Sequence, residues 1–123
     1  MEDLHEHGRE ILMLAITYTT IDFGISQCGR TEEEQRQNIA KGVSKTMKSR
    51  HLIDKSGVCY AWDIYAYVDG KANYEEKNLR KIAQAIFRAA FELGYEIEWG
   101  GHWHSFLDMP HYQLSWRQYP SQY

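Results

Sequence analysis

The sequence predicts an α+β fold, a small single domain over residues 1–123 with a central antiparallel sheet and flanking helices. Residues 59–68 alternate between apolar and other side chains with the period of a strand, and residues 79–93 have the apolar spacing of a helix. The predicted strands and helices follow one another without regular βαβ alternation, which favours antiparallel pairing. A chain of 123 residues is long enough to bury one core without a disulfide or metal staple.

The first half of the chain predicts four elements. They are a packed helix over residues 9–19, a half-buried strand over 21–26, a polar surface helix from Thr31 to about Lys41, and a basic loop from Gly42 to Ser49. Thr31 followed three residues later by Glu34 is a capping box, which places the start of the surface helix. The loop leads the chain to His51.

The second half begins with the strongest strand pattern, residues 59–68, in which Asp63 lies on the face opposite Trp62 and Ile64. The later elements are a turn at Asp69-Gly70, a core helix from Leu79 to Leu93 closed by Gly94, a strand over Glu96–Trp99, and a strand over His111–Trp116. In the last strand the alternation places His111, Gln113 and Ser115 on one side. Pro110 fixes its own φ and keeps its neighbour extended, which aims His111.

Composition excludes several classes of function. The net charge of −3 gives no electrostatic basis for binding nucleic acid or an anionic membrane. No apolar stretch reaches the roughly 18 residues that a membrane span needs, and the acidic start of the chain lacks the apolar run of a signal peptide. Cys28 and Cys59 form no disulfide framework, and reduced thiols are expected. We expect a soluble, monomeric protein that is not exported by its own sequence.

Two histidines and two aspartates from distant segments suggest a catalytic metal. His51, Asp63 and His111 supply the imidazole and carboxylate ligands of a hydrolytic zinc site, which keeps an open position for water. Asp108 lies three residues before His111 and can move a proton there. Arg30 offers a fixed positive charge for an oxyanion or a substrate carboxylate.

Each of these residues also has an ordinary structural interpretation. His51 can be a solvated loop residue, Asp63 can belong to a salt bridge, and Arg30 can pair with Glu34. The His102-x-His104 pair is a rival metal site that spacing alone does not rank below His51. Core packing is expected for at least two of the tryptophans Trp99, Trp103 and Trp116.

Several stretches, taken together and in order, resemble one family of peptidases. They are Ile21-Asp22-Phe23, Gly29-Arg30-Thr31 with Gln35, Gly42-Val43-Ser44-Lys45-Thr46, Ser49-Arg50-His51-Leu52, Ala61-Trp62-Asp63-Ile64, Tyr67-Val68-Asp69-Gly70, Trp99-Gly100-Gly101, Trp103, Ser105-Phe106 and Asp108-Met109-Pro110-His111. The chain resembles the zinc D,D-peptidase and L-alanyl-D-glutamate endopeptidase family, which includes VanY-like peptidases, and within it the short phage endolysins. The resemblance runs from about residue 10 to Trp116 and implies a Hedgehog/D,D-peptidase-like fold with the metal on the sheet.

The resemblance also implies a role for each matching residue. His51, Asp63 and His111 would bind one Zn²⁺, Asp108 would be the general base and acid, Arg30 would steady the substrate carbonyl, and Ser49 and Gln35 would support the site. The implied substrate is the peptide stem of bacterial peptidoglycan, cut at the L-alanyl-D-glutamate bond. The alternatives are a D-alanyl-D-alanine carboxypeptidase and a non-catalytic metal-containing cell-wall-binding module. An endolysin of this kind would wait in the host cytoplasm until the membrane is opened.

Overall fold

The computed structural model describes residues 2–41, 49–104 and 107–120. The α-helices of this part are α1 (Glu6–Tyr18), α2 (Glu32–Ala40) and α3 (Glu76–Leu93). The strands are β1 (Phe23–Gln27), β2 (Ala61–Val68), β3 (Lys71–Asn73), β4 (Ile97–Trp99) and β5 (His111–Leu114). This is the α+β architecture with an antiparallel sheet that the sequence predicts.

The sheet is antiparallel throughout, with strand order β1-β2-β5-β4. Strand β3 also pairs with β2, beyond the end of β5 and along the same edge, because Asp63 pairs with His111 and Val68 with Lys71. Strand β2 is therefore the centre of the sheet. Its register places Asp63 directly opposite His111 on β5.

One face of the sheet packs on α1 and α3 and forms the core. Trp62 and Ile64 of β2 are fully buried there, and the Trp62 ring stacks on Tyr112 of β5 with ring centroids 6.0 Å apart. Helix α3 contributes Ile82 and Ile86, which are fully buried as the helical spacing predicts. The opposite face of the sheet therefore remains available for polar side chains.

Local signals explain where the elements start and stop. The Thr31 hydroxyl accepts a hydrogen bond from the Glu34 amide and begins α2, as the capping box predicts. Asp69 and Gly70 both have positive φ, +52° and +77°, which suits the tight hairpin between β2 and β3. Gly94 closes α3 in the left-handed conformation.

Three expectations need correction or extension. Helix α1 begins at Glu6, three residues earlier than predicted, where the His5 ring caps it by accepting from the His7 amide. Strand β3 was not predicted, because three mostly exposed residues carry too short an alternation to be recognised.

The expectation of two core tryptophans was wrong, since Trp99 is buried but Trp103 is half-buried and Trp116 is 42% exposed. Trp116 lies under the Arg50 guanidinium instead. The predicted loop falls mostly on residues 42–48, outside the described residues.

None of the helices within the described ranges has the length and apolar character that crossing a bilayer requires.

Candidate metal centre

The structure brings His51, Asp63 and His111 together on the outer face of the sheet. Nε2 of His51 and Nδ1 of His111 lie 3.3 Å and 3.1 Å from Oδ1 of Asp63. The two imidazole nitrogens are 3.2 Å apart. The three atoms therefore form a nearly equilateral triangle, and this is the group of potential metal ligands found among the described residues.

Two of the three side chains are placed by the sheet itself. Asp63 and His111 are a directly opposed cross-strand pair of β2 and β5, so their side chains leave the same face of the sheet. The backbone amide of Ile64 donates to the carbonyl of Pro110, which extends the pairing to the residue before His111. Rigid strands thus fix the carboxylate and one imidazole.

His51 comes from a loop, and several hydrogen bonds hold it against the sheet. Its amide donates to the Ser49 hydroxyl at 3.2 Å, and its carbonyl accepts from the Arg30 amide at 2.7 Å. The ring nitrogen Nδ1 lies 2.9 Å from the carbonyl oxygen of Cys28. A carbonyl can only accept, so Nδ1 carries the proton and donates it, and the Nε2 lone pair of the neutral ring points at Asp63.

His111 is fixed in the opposite tautomer. Its Nε2 lies 2.8 Å from the side-chain oxygen of Gln113, whose own amide nitrogen donates to Glu98 at 3.1 Å. Nε2 of His111 must therefore carry the proton, which leaves the lone pair on Nδ1, again facing Asp63. When both rings are neutral, two nitrogen lone pairs and one carboxylate oxygen therefore face one another at the centre of the cluster.

Such a cluster stabilises a positive charge at its centre. Burial alone would raise the pKa of Asp63, but hydrogen bonds from His111 and His51 hold it well below its usual range. Burial alone would lower the pKa of His111, but its bonds to Asp63 and Gln113 and the charge on Asp63 raise it. A proton or a metal cation can supply the charge that these shifts favour.

The residues fit a metal ion. A tetrahedral zinc with bonds of about 2.0 Å places its ligand atoms about 3.3 Å apart, and the distances here are 3.1, 3.2 and 3.3 Å. Two imidazole nitrogens and one carboxylate oxygen are typical ligands of a catalytic zinc, and three ligands leave a fourth position open. The cluster can therefore hold a metal ion.

Asp108 lies in a turn that is anchored on both sides. Its amide donates to the Gly100 carbonyl at 3.0 Å, and its carbonyl accepts from the His111 amide at 3.1 Å. The indole of Trp99 donates to the Met109 carbonyl at 2.7 Å. Burial, and then the negative charge of Asp63, raise the pKa of the Asp108 carboxyl. A carboxyl with a raised pKa beside the cluster is suited to accept and return a proton.

Arg30 is held rigidly rather than paired with Glu34. Its guanidinium donates to the side-chain oxygens of Gln35 at 2.5 Å and Gln27 at 3.0 Å. Gln35 is fully buried although most of the described side chains on its helix are exposed. A bulge in β1 brings Gln27 opposite Asp63. Burial lowers the pKa of Arg30, while the nearby Asp63 charge opposes that effect.

The alternative metal-binding pair, His102 and His104, differs from this centre in its exposure to solvent. His102 and His104 are both exposed, and the His102 ring packs against Trp99 and Phe87. No metal-ligand group in the described part of the chain includes either histidine. The Trp103 ring, between them in sequence, packs against His111 with centroids 5.1 Å apart.

A family model described as phage L-alanyl-D-glutamate peptidase matches residues 1–114. The chain belongs to this family.

Individual peptidases of known name agree with this membership. The chain is 34% identical to the L-alanyl-D-glutamate peptidase of Listeria phage A118 over 90 residues, which are 73% of this chain and 29% of that protein. It is 28% identical to the L-alanyl-D-glutamate peptidase of Escherichia phage T5 over 101 residues, covering 79% of this chain and 70% of that protein. It thus spans less than a third of the first relative and about two thirds of the second.

A solved structure carries the same fold. The crystal structure of the Serratia marcescens L-Ala D-Glu endopeptidase ChiX superposes with a TM-score of 0.88 at 35% sequence identity. The match covers 98% of this chain and 86% of that one. The fold class predicted from the sequence is confirmed by this likeness.

Several residues around the candidate metal centre were not predicted from the sequence. Gln113 and Glu98 orient His111, the Cys28 carbonyl orients His51, and Gln27 holds Arg30. The alternation of the last strand already placed Gln113 on the His111 face, so that signal was available. The others depend on strand register, on a bulge or on a backbone carbonyl, which leave no mark in the sequence.

Proposed function

We propose that this domain is a zinc-dependent endopeptidase that hydrolyses the L-alanyl-D-glutamate bond in the peptide stems of bacterial peptidoglycan. The observation that carries the proposal is the triangle of His51, Asp63 and His111, whose lone pairs converge at distances of 3.1–3.3 Å. Membership of the family supports the choice of bond. The proposed cofactor is one Zn²⁺ bound by these three residues.

Zinc in such a site lowers the pKa of a bound water towards about 7 and polarises a carbonyl. The two imidazoles enter as neutral ligands, because each donates its single N–H, to the Cys28 carbonyl or to the Gln113 side-chain oxygen, and offers the lone pair of its other nitrogen. Asp63 contributes the one negative charge of the ligand set. The centre therefore keeps a net positive charge, which favours electrophilic chemistry on an amide.

The proposed work of Asp108 is proton transfer. Its carboxylate takes a proton from the attacking water, and the resulting acid returns that proton to the nitrogen of the leaving amine. Half-burial and the Asp63 charge raise its pKa, and a base with a raised pKa holds the proton more readily between the two steps. The anchored turn of residues 108–110 keeps this carboxyl in place.

The proposed work of Arg30 is to stabilise negative charge. Gln27 and Gln35 occupy some of its donors and fix the plane of the guanidinium, so the remaining donors have a defined direction. A fixed cation near the substrate carbonyl oxygen attracts that oxygen more strongly as negative charge develops on it in the transition state. Ser49 supports the site by accepting from the amide of His51.

Digestion of purified peptidoglycan tests the proposal. Wild type, Asp108→Asn and the paired variant His102→Ala/His104→Ala are incubated with and without a chelator, and the fragments are identified by mass spectrometry. New amino-terminal D-glutamate, lost on chelation and in Asp108→Asn but retained in the paired variant, is the expected result. The paired variant is the control because those exposed histidines are the rival ligands.

Other products would assign the domain differently. Release of free D-alanine would make it a carboxypeptidase. Absence of cleavage by folded, zinc-loaded wild type would leave a binding module. A monomeric state and residence in the host cytoplasm stay predictions, which light scattering and fractionation of infected cells test.

A further inference from the structure

We propose that Gln113 and Glu98 are positioning residues that act as a relay to set the tautomer of His111 and thereby its affinity for metal. The proposal deepens the proposed function and rests on His111 being a ligand. Neither Gln113 nor Glu98 belongs to the ligand group of His51, Asp63 and His111. Their effect would pass entirely through the direction of hydrogen bonds.

The relay is built by the register of three adjacent strands. Asp63 on β2 lies opposite His111 on β5, and Glu98 on β4 lies opposite Gln113 on β5. His111 and Gln113 are two residues apart on one strand, so they share a face. The four side chains therefore form a continuous row across the outer face of the sheet.

Glu98, at the outer end of this row, determines the donor and the acceptor in each hydrogen bond that follows. A carboxylate can only accept, so Glu98 receives the Gln113 amide N–H at 3.1 Å. That fixes the orientation of the amide and leaves its oxygen 2.8 Å from Nε2 of His111. The oxygen can only accept, so the imidazole proton stays on Nε2 and the Nδ1 lone pair faces Asp63.

Without the relay the opposite tautomer would be favoured. A proton on Nδ1 would donate to Oδ1 of Asp63, which lies only 3.1 Å away. That proton would occupy the direction in which His111 must offer its lone pair to a metal. The relay opposes this local preference, and Gln113 can hold its direction because it is buried and bonded at both ends.

Two measurements test the relay on the full chain. The first is zinc affinity by competition with a chromophoric chelator. The second is the tautomer of His111 in the metal-free protein, read from ¹⁵N chemical shifts at a pH where the ring is neutral. Gln113→Met keeps the side-chain volume but removes the acceptor. We expect it to weaken zinc binding roughly 10- to 100-fold, the usual effect of losing such an outer partner, and to populate the Nδ1–H form.

A double variant that exchanges the amide of Gln113 with the carboxylate of Glu98 should restore zinc binding. In the double variant Glu98→Gln/Gln113→Glu a carboxylate faces His111 and an amide faces the carboxylate, so Nε2 keeps its proton. We expect zinc affinity within a few-fold of wild type. Glu98→Met should weaken binding, whereas Glu96→Met, which removes a carboxylate bonded to the exposed Arg117 instead, should not.

Wild-type affinity in Gln113→Met, or an unchanged Nε2–H tautomer, would overturn the relay. Failure of the exchanged variant to recover affinity, with its fold retained by thermal unfolding, would do so as well. If wild type itself bound no zinc, the proposed cofactor would fail, and the tautomer measurement on metal-free protein would still decide whether Gln113 sets the ring.

Discussion

Substitution of Gly100 by alanine should greatly reduce the proposed peptidase activity while largely preserving zinc binding. A Cβ atom at position 100 would lie 2.1 Å from the carbonyl oxygen of Asp108 and 2.9 Å from its carbonyl carbon. Real Cβ atoms essentially never approach closer than 3.0 Å, so residue 100 and the Asp108 carbonyl must move apart by at least 0.9 Å, the difference between 3.0 and 2.1 Å. Both groups are backbone, so no side-chain rotation can relieve the clash.

The displacement falls on the turn that carries the proposed general base. A misplacement of about 1 Å costs roughly 10²-fold in rate, so we expect kcat to fall by about that factor. The hydrogen bond from the Asp108 amide to the Gly100 carbonyl would also weaken, at a cost of about 1 kcal/mol. Zinc affinity should fall much less than kcat, because the pairing of β2 with β5 still holds Asp63 and His111 when the bond from the His111 amide to the Asp108 carbonyl is weakened.

Steady-state cleavage of a defined stem peptide, together with zinc affinity and thermal unfolding, measures these effects. Gly57→Ala is the control, since a Cβ there meets no atom within 4 Å although its φ of +86° makes the substitution strained. The control should lose stability but keep kcat. Wild-type kcat in Gly100→Ala, or a loss of zinc affinity in parallel with kcat, would show that this turn does not place the proposed base.

Three further predictions concern residues around the site. Arg50→Met should lower the free energy of unfolding by about 1–3 kcal/mol, because the buried guanidinium donates to the carbonyls of Leu114, Ser115 and Tyr119, which would lose their donor; chemical denaturation checks this, and a loss below about 0.5 kcal/mol would contradict it. Gln35→Leu should lower kcat with zinc affinity unchanged, because leucine lacks the side-chain oxygen that holds the Arg30 guanidinium in place. Equal kcat in the variant and in wild type would argue against a role for the fixed position of Arg30. Burial raises the pKa of Cys59 to about 12, so its thiol should resist iodoacetamide at pH 8 until the protein unfolds, as peptide mapping of the alkylated sites would show. The same raised pKa stabilises the fold fully below the ordinary thiol value and loses that contribution as the pH rises towards 12.

The sequence predicted the core elements because their patterns are local. Residues 59–68 alternate over a full strand, Thr31 and Glu34 form a cap, and Gly94 ends a helix of regular apolar spacing. Each pattern reports burial or a backbone conformation within a few residues. Strand β3 lacked that length, and Trp116 was misassigned because its partner, Arg50, is distant in sequence.

The site was predictable only in part for the same reason. The chemistry of His51, Asp63 and His111 is visible in their residue types, but the contact between Asp63 and His111 is a consequence of register. The outer partners are less visible still. A carbonyl at Cys28 has no side-chain signature, and Glu98 resembles any surface carboxylate until β4 is aligned with β5.

The most direct test of a zinc-dependent endopeptidase is a zinc titration of metal-free protein, in which the appearance of amino-terminal D-glutamate from peptidoglycan is followed after each addition. We expect no cleavage without metal, a linear rise in rate, and a plateau at one zinc per chain that is absent in Asp63→Asn. Cleavage at full rate without metal, or an unchanged plateau in Asp63→Asn, would contradict this expectation.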